Sequence, residues 1–144
     1  MARRVIALLG DPRITEDWAA TEAVTPGHLL ELTSTGGVKK QTDDAANVTP
    51  MFALERDELG DDIDEDYESG DTVRVGIFKP GDRVYAFLAS GVNAAIGDYL
   101  TSNTTGLLTK TSVAASVRLA QALEAVDTSG SAPVAGTRIR VQIC

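Results

Sequence analysis

The densest chemistry in the sequence lies in "ERDELGDDIDEDYESGD", positions 55–71, which holds ten carboxylates and one arginine. Carboxylates this close together can bind a divalent cation, or supply an acid and a base for hydrolysis. Asp62, Asp64 and Asp66 stand at the one-three-five spacing of a calcium loop. Such a loop needs Gly at its sixth position and Glu at its twelfth, followed by a helix. Tyr67 and Val73 occupy those positions, and the segment beyond them alternates as a strand. A hydrolytic pair needs two carboxylates in unequal surroundings, whereas these share one solvated run. The stretch therefore reads as an exposed connection kept soluble by its charge.

The other reactive side chains are few. His28 is the only histidine and Cys144 the only cysteine, so zinc lacks its usual ligands and an internal disulfide is impossible. No Ser stands in a G-x-S-x-G context that would pair with His28, and no glycine-rich phosphate loop precedes a helix. A Gly-Asp turn at Gly97-Asp98 is similar to turns in biotinyl and lipoyl carriers, but the hairpin tip "SNTTG" has no lysine to modify. Neither catalytic residue, metal nor cofactor is expected. The chain reads as non-enzymatic, with a structural or binding role.

Charge narrows the partners. The formal net charge is −8, from 13 basic and 21 acidic residues. Removing the one arginine and ten carboxylates of the acidic stretch leaves 12 against 11, so the acidity is local. A basic nucleic-acid footprint is absent. The apolar run "VIALL" at 5–9 is too short to span a bilayer or serve as a secretion signal. Neither nucleic acid nor membrane is an expected partner, and synthesis in a cytoplasm is.

The elements that would carry any surface are short strands. At 144 residues, 43% of them hydrophobic, the chain has room for one domain with a real core. "DTVRVGIF" puts Val73, Val75 and Ile77 on one face, "KPGD" makes a type II turn, and "RVYAFLAS" returns as the partner strand. "TRIRVQIC" alternates again at the C-terminus. "TEDWAATEAV" at 15–24 could be helical after a Thr15 cap. Within 111–127, a strand over about 117–125 is favoured against a helix. The expected division is an N-terminal arm or first strand at 1–22 and a single β-domain at 23–144, with the acidic loop at 55–71.

An internal repeat lies beneath this pattern. "TPGHLLELTSTGGVKK" (25–40) aligns without gaps on "AIGDYLTSNTTGLLTK" (95–110), matching Gly27 with Gly97, Leu30 with Leu100, Gly36 with Gly106 and Lys40 with Lys110. Each copy reads as a glycine turn, a strand, a tight turn and a second strand. Two such hairpins predict an all-β fold, a small barrel or sandwich with two pseudo-equivalent hairpins.

The order "AVTPGHLLELTSTGGVKK", then the segment from "FALERDELGDD" through "GDTVRVGIFKPGDRVYAFLASGVNAAIGDYLTSNTTGLL", then "ALEAVDTSG" and "RIRVQI" resembles small cement, or head-decoration, proteins of tailed bacteriophages. The likeness covers residues 23–143 and rests on the spacing of Gly turns and strands. It implies a jelly-roll or tulip-like β-fold on the outer capsid surface of the virion. The implied partners are the major capsid protein and further copies of the chain, as a dimer or trimer at local symmetry axes. A small ligand-binding or carrier barrel, or a phage tail or baseplate β-domain, are the alternatives. The segment "MARRVIALLGDPRITEDW" fits the resemblance least. It is expected either to add a strand to a neighbouring subunit, through Arg3, Arg4, Val5, Ile6, Leu8, Arg13 and Trp18, or to form the first strand of the chain's own sheet.

Overall fold

One turn recurs four times and sets where strands begin. In each, a glycine at positive φ (Gly27 +103°, Gly70 +95°, Gly81 +96°, Gly97 +93°) is followed by a polar residue whose N–H closes the turn. The side chain of that residue then accepts the N–H three positions back: Asp71 from Glu68 at 2.9 Å, Asp82 from Lys79 at 3.0 Å, Asp98 from Ala95 at 2.8 Å. At 25–28 the same work is done by His28 Nδ1, which accepts from Thr25 N–H at 2.9 Å. Only glycine adopts that φ without strain, and the side-chain acceptor satisfies an amide otherwise left unpaired.

The computed structural model describes residues 6–9, 14–42, 48–55, 63, 65–111, 118–129 and 137–144. Among them the regular elements are all strands: Ala7–Leu9 (β1), Ile14–Ala20 (β2), Leu30–Leu32 (β3), Gly37–Lys40 (β4), Met51–Ala53 (β5), Thr72–Ile77 (β6), Arg83–Leu88 (β7), Asn93–Ala94 (β8), Tyr99–Ser102 (β9), Leu108–Thr111 (β10), Ala120–Ala122 (β11), Val126–Asp127 (β12) and Thr137–Ile143 (β13). The candidate helix at 15–24 is instead β2, paired antiparallel with β6 along its length. Its Ala and Glu residues favour helix locally, and the ladder to β6 overrides them. Of the favoured strand at 117–125, Ala120–Ala122 (β11) forms among the described residues; a bend at 123–124 ends it, and β12 begins beyond it at Val126.

Strands β7, β10, β9, β11 and β13 follow one another around a ring that the β13–β7 ladder closes, giving a five-stranded barrel with β1 added at the edge of β7. The other sheet runs β3-β4-β2-β6-β5, and a bridge between Leu29 and Phe52 joins its two ends. The two sheets have the same topology. The hairpin registers match, Leu30 opposite Lys40 and Leu100 opposite Lys110. In both, the second hairpin strand runs parallel to an earlier long strand (β4 to β2, β10 to β7), which pairs antiparallel with a late one (β6, β13). The bridge Leu29–Phe52 corresponds to the pair Tyr99–Gln121. The bonds Gly27 N–H to Ala53 O and Leu54 N–H to Arg74 O recur as Gly97 to Ala122 and Leu123 to Arg140. The repeat read at 25–40 thus extends over the chain: β2 to β6 form one barrel, and β7, β9, β10, β11 and β13 form its copy about seventy residues on.

Each barrel has its own apolar filling at equivalent positions. The first contains Leu30, Val38, Ala53, Val73 and Val75, and the second Leu100, Leu108, Ala122, Ile139 and Val141. Elsewhere sizes are exchanged. Trp18, Ala20 and Met51 correspond to Ala86, Leu88 and Ala120, so volume is conserved in the set rather than at each site.

Candidate interaction surface

Of the proposed N-terminal contact residues, the described side chains are those of Ile6 and Trp18. Ile6 is fully buried in the core of the second barrel. Its backbone is held on both sides: the N–H donates to Glu55 Oε2 at 3.2 Å, and the carbonyl accepts from Tyr85 N–H at 2.7 Å. Its side chain thus packs within this chain's own core and presents no apolar surface to a partner in this structure. Trp18 is half-buried against the first core, with its indole N–H on Glu16 Oε2 at 2.7 Å. Leu8 lies in β1. Arg3, Arg4, Val5 and Arg13 lie outside the described residues.

The acidic stretch is anchored more than a solvated loop would be. Ile63 and Tyr67 are buried, and Tyr67 Oη donates to Leu54 O at 2.6 Å while its backbone bridges Val24. Asp66 Oδ1 accepts from Thr25 Oγ1 at 2.7 Å. Residues 56–62 and 64, including Asp62 and Asp64 of the calcium spacing, lie outside the described residues. Among those described, no three metal-ligating side chains converge.

The surface that stands out is one the sequence reading missed, and it follows from the duplication. The outer face of the first barrel is apolar and covered by the second. Leu29, Phe52, Leu54 and Phe78 join the second barrel's core, with Phe52 and Phe78 ring to edge at 5.8 Å. The turn at Pro26-Gly27 is buried under β7. Phe87 N–H donates to Gly27 O at 3.3 Å, and Arg138 Nη2 donates to Pro26 O at 3.0 Å while its guanidinium lies 4.3 Å from the Phe87 ring. His28 packs on the same ring at 4.8 Å, and burial, then Lys40, lower its pKa to about 4. The hairpin tip of the second barrel completes the contact: Gly106 accepts from Leu29 N–H at 2.8 Å and donates to Gln41 O at 3.0 Å.

The equivalent face of the second barrel is uncovered among the described residues. Ile96, at the position of Pro26, is 73% exposed. Tyr99, Gln121, Gln142 and Cys144 take the places of Leu29, Phe52, Gly76 and Phe78, and with Arg118 and Ile143 they line a groove of about 440 Å³. Arg118 stacks over Tyr99 at 4.8 Å, and Gln121 is fixed by its amide on Gly97 O at 3.0 Å. Partial burial raises the Cys144 thiol pKa, which Arg118 offsets only in part, so the thiol is no activated nucleophile. What the described lining offers is hydrogen bonding and the Arg118 cation. A signal for it was present in the sequence: "MFALE" (51–55) against "AQALE" (120–124), and "GDTVRVGI" (70–77) against "GTRIRVQI" (136–143).

No family model and no curated protein matches the sequence. Among solved structures, the chain is similar to the N base of the head fiber gp8.5 in bacteriophage phi29, with a TM-score of 0.60 and 15% sequence identity, over 91% of this chain and 93% of that one. At that identity the likeness is one of fold.

Proposed function

We propose that this chain is a structural, non-enzymatic protein of a bacteriophage head. In this reading it binds the outer surface of the assembled shell and holds neighbouring major capsid subunits together, itself assembled as a small oligomer. The observation that supports it best is the match in fold to a phage head fiber base over nearly the full length of both chains. The sequence resemblance to head-decoration proteins points the same way. Two tightly closed barrels joined by an apolar contact form a stiff unit, which suits a part that must keep its shape on a shell. A protein that binds the assembled lattice and not free subunits stabilises the lattice by mass action. Many weak copies on one particle add up to firm retention.

The test uses heads assembled without this protein. Purified chain added to them should co-sediment, saturate at a fixed ratio to the major capsid protein, and raise the temperature at which the heads release DNA. Chain left in the supernatant at all concentrations would overturn the reading. Saturation at a few copies per particle would favour a tail or baseplate site instead.

A further inference from the structure

The turn at 25–28 ties three parts of the chain together. Its His28 Nδ1 accepts the Thr25 N–H at 2.9 Å, and the imidazole packs on the Phe87 ring of the second barrel at 4.8 Å. Gly27 O accepts from Phe87 N–H at 3.3 Å. Arg138 Nη2 donates to Pro26 O at 3.0 Å and also to Ile63 O, while Thr25 Oγ1 donates to Asp66 Oδ1 at 2.7 Å. The turn therefore holds β7 and β13 on one side, and Ile63 and Asp66 of the acidic stretch on the other. This arrangement needs a neutral imidazole, because a protonated Nδ1 is a donor and would face the Thr25 N–H, itself a donor. The charged groups that face the ring are Lys40 of β4 and Arg138 of β13, which oppose a further cation, and Asp66, which favours it. The apolar part of the contact, Leu29, Phe52, Leu54 and Phe78, has no such dependence, and each barrel keeps a filling of its own. The other three turns of this kind use Asp71, Asp82 and Asp98 as acceptors, so the one imidazole stands where a turn of the first barrel meets β7.

We propose that the turn at 25–28 is an acid-released latch: proton uptake by His28 frees it from Phe87 and Arg138 and loosens Ile63 and Asp66, while both barrels stay closed. Burial, then Lys40, hold the ring of the closed latch at a pKa of about 4, whereas a ring released into water returns to 6.5. The closed latch is therefore fully favoured above pH 6.5, loses ground as pH falls from 6.5 to 4, and loses nothing further below that. Over this window the ratio of open to closed latch rises by up to roughly 300-fold, the gap between the two pKa values. The apolar centre of the contact resists separation throughout, so the opening is local, at the rim. This inference does not rest on binding to heads.

Amide hydrogen exchange of the full chain, followed by NMR at pH 7 and pH 4, tests it, with each rate divided by the intrinsic rate of that amide at the same pH. Phe87 N–H reports the latch. Three amides serve as references: Leu29, bonded to Gly106 O across the same contact, Ala20, bonded to Asp71 O in the first barrel, and Ala89, bonded to Leu108 O in the second. At pH 4, Phe87 should be less protected than all three by about tenfold or more. Its protection should fall by about 100-fold or more between pH 7 and pH 4. In His28→Asn, which keeps an acceptor that does not titrate, that fall should be smaller by about tenfold or more. A smaller difference between Phe87 and any of the references in the wild type at pH 4 would overturn the proposal, whether or not the variant folds. So would a fall in the variant that comes closer than that to the wild type's.

Discussion

His28 is a built-in acid weakness of the fold, and its cost can be worked out. Its Nδ1 accepts the Thr25 amide, so the imidazole must be neutral to cap the turn. Burial, then the charge of Lys40, hold its pKa at about 4, against 6.5 for the free side chain. Asp66 pulls the other way, and Arg138 adds to the lowering. Above pH 6.5 both folded and unfolded chains carry a neutral ring, and His28 has no effect on the pH dependence. Between pH 6.5 and 4 the unfolded chain takes up the proton and the folded chain does not, so stability falls as pH falls. Below about pH 4 the loss is complete, and at about 1.36 kcal/mol per pH unit it amounts to roughly 3 kcal/mol. His28→Asn keeps an acceptor oxygen where Asp98 has one in the second barrel, but does not titrate. Urea unfolding of both proteins at pH 7 and pH 4 isolates the effect, because the carboxylates are common to both. The stability of the variant relative to the wild type should rise by about 3 kcal/mol between the two pH values. With a urea slope of about 1.5–2 kcal/mol/M, that is a relative shift in midpoint of roughly 1.5–2 M. A relative stability constant to within about 0.5 kcal/mol would refute both the cap and the buried neutral imidazole.

Leu30→Ala and Leu100→Ala, at matching and fully buried positions of the two barrels, should each cost roughly 2–5 kcal/mol in urea unfolding. Gly97→Ala meets open space and is strained only by its φ of +93°, so it should cost about 1–2 kcal/mol. Gly106→Ala should cost clearly more, because its added Cβ would lie 2.8 Å from Lys40 Cβ and 3.2 Å from Leu29 O at the contact between barrels. Tyr67→Phe removes the hydroxyl on Leu54 O in a buried site, and a loss of about 1–3 kcal/mol is expected.

The strands at 72–77 and 83–88 were legible because alternation and a Pro-Gly turn act within a few residues, but the hairpin expected between them does not form. The first pairs with β2 and β5, the second with β1, β10 and β13, because the turn at 79–82 carries the chain from one barrel to the other. The strand β2 was not legible, since Glu16, Asp17, Ala19 and Ala20 say little locally and are held extended by β6, more than fifty residues away. The acidic stretch looked uniform because Ile63 and Tyr67 are isolated among charges, yet those two hold it to the body of the protein. In the apolar N-terminal run, Ile6 is fully covered. For Ile6 that cover is the chain's own second barrel, a choice that no local pattern encodes.

The groove was the least legible feature, because its positions diverge between the two copies. Positions that fill a barrel stay apolar in both copies, so Leu30 and Leu100 reveal the duplication. Positions on the outer face diverge according to what covers them. Leu29 and Phe52 are apolar because the second barrel lies on them, and Tyr99 and Gln121 are polar because nothing else in the described chain does. A position that is buried in one copy and solvated in the other therefore marks a difference in what covers it within the described chain, not a difference of fold. The pair Pro26 and Ile96 sharpens the point. An aliphatic side chain 73% exposed on a turn of this kind gains nothing for the barrel beneath it. Ile96→Asp should accordingly leave the urea midpoint of the chain unchanged. A fall in stability from that single change would mean that Ile96 packs within its own barrel.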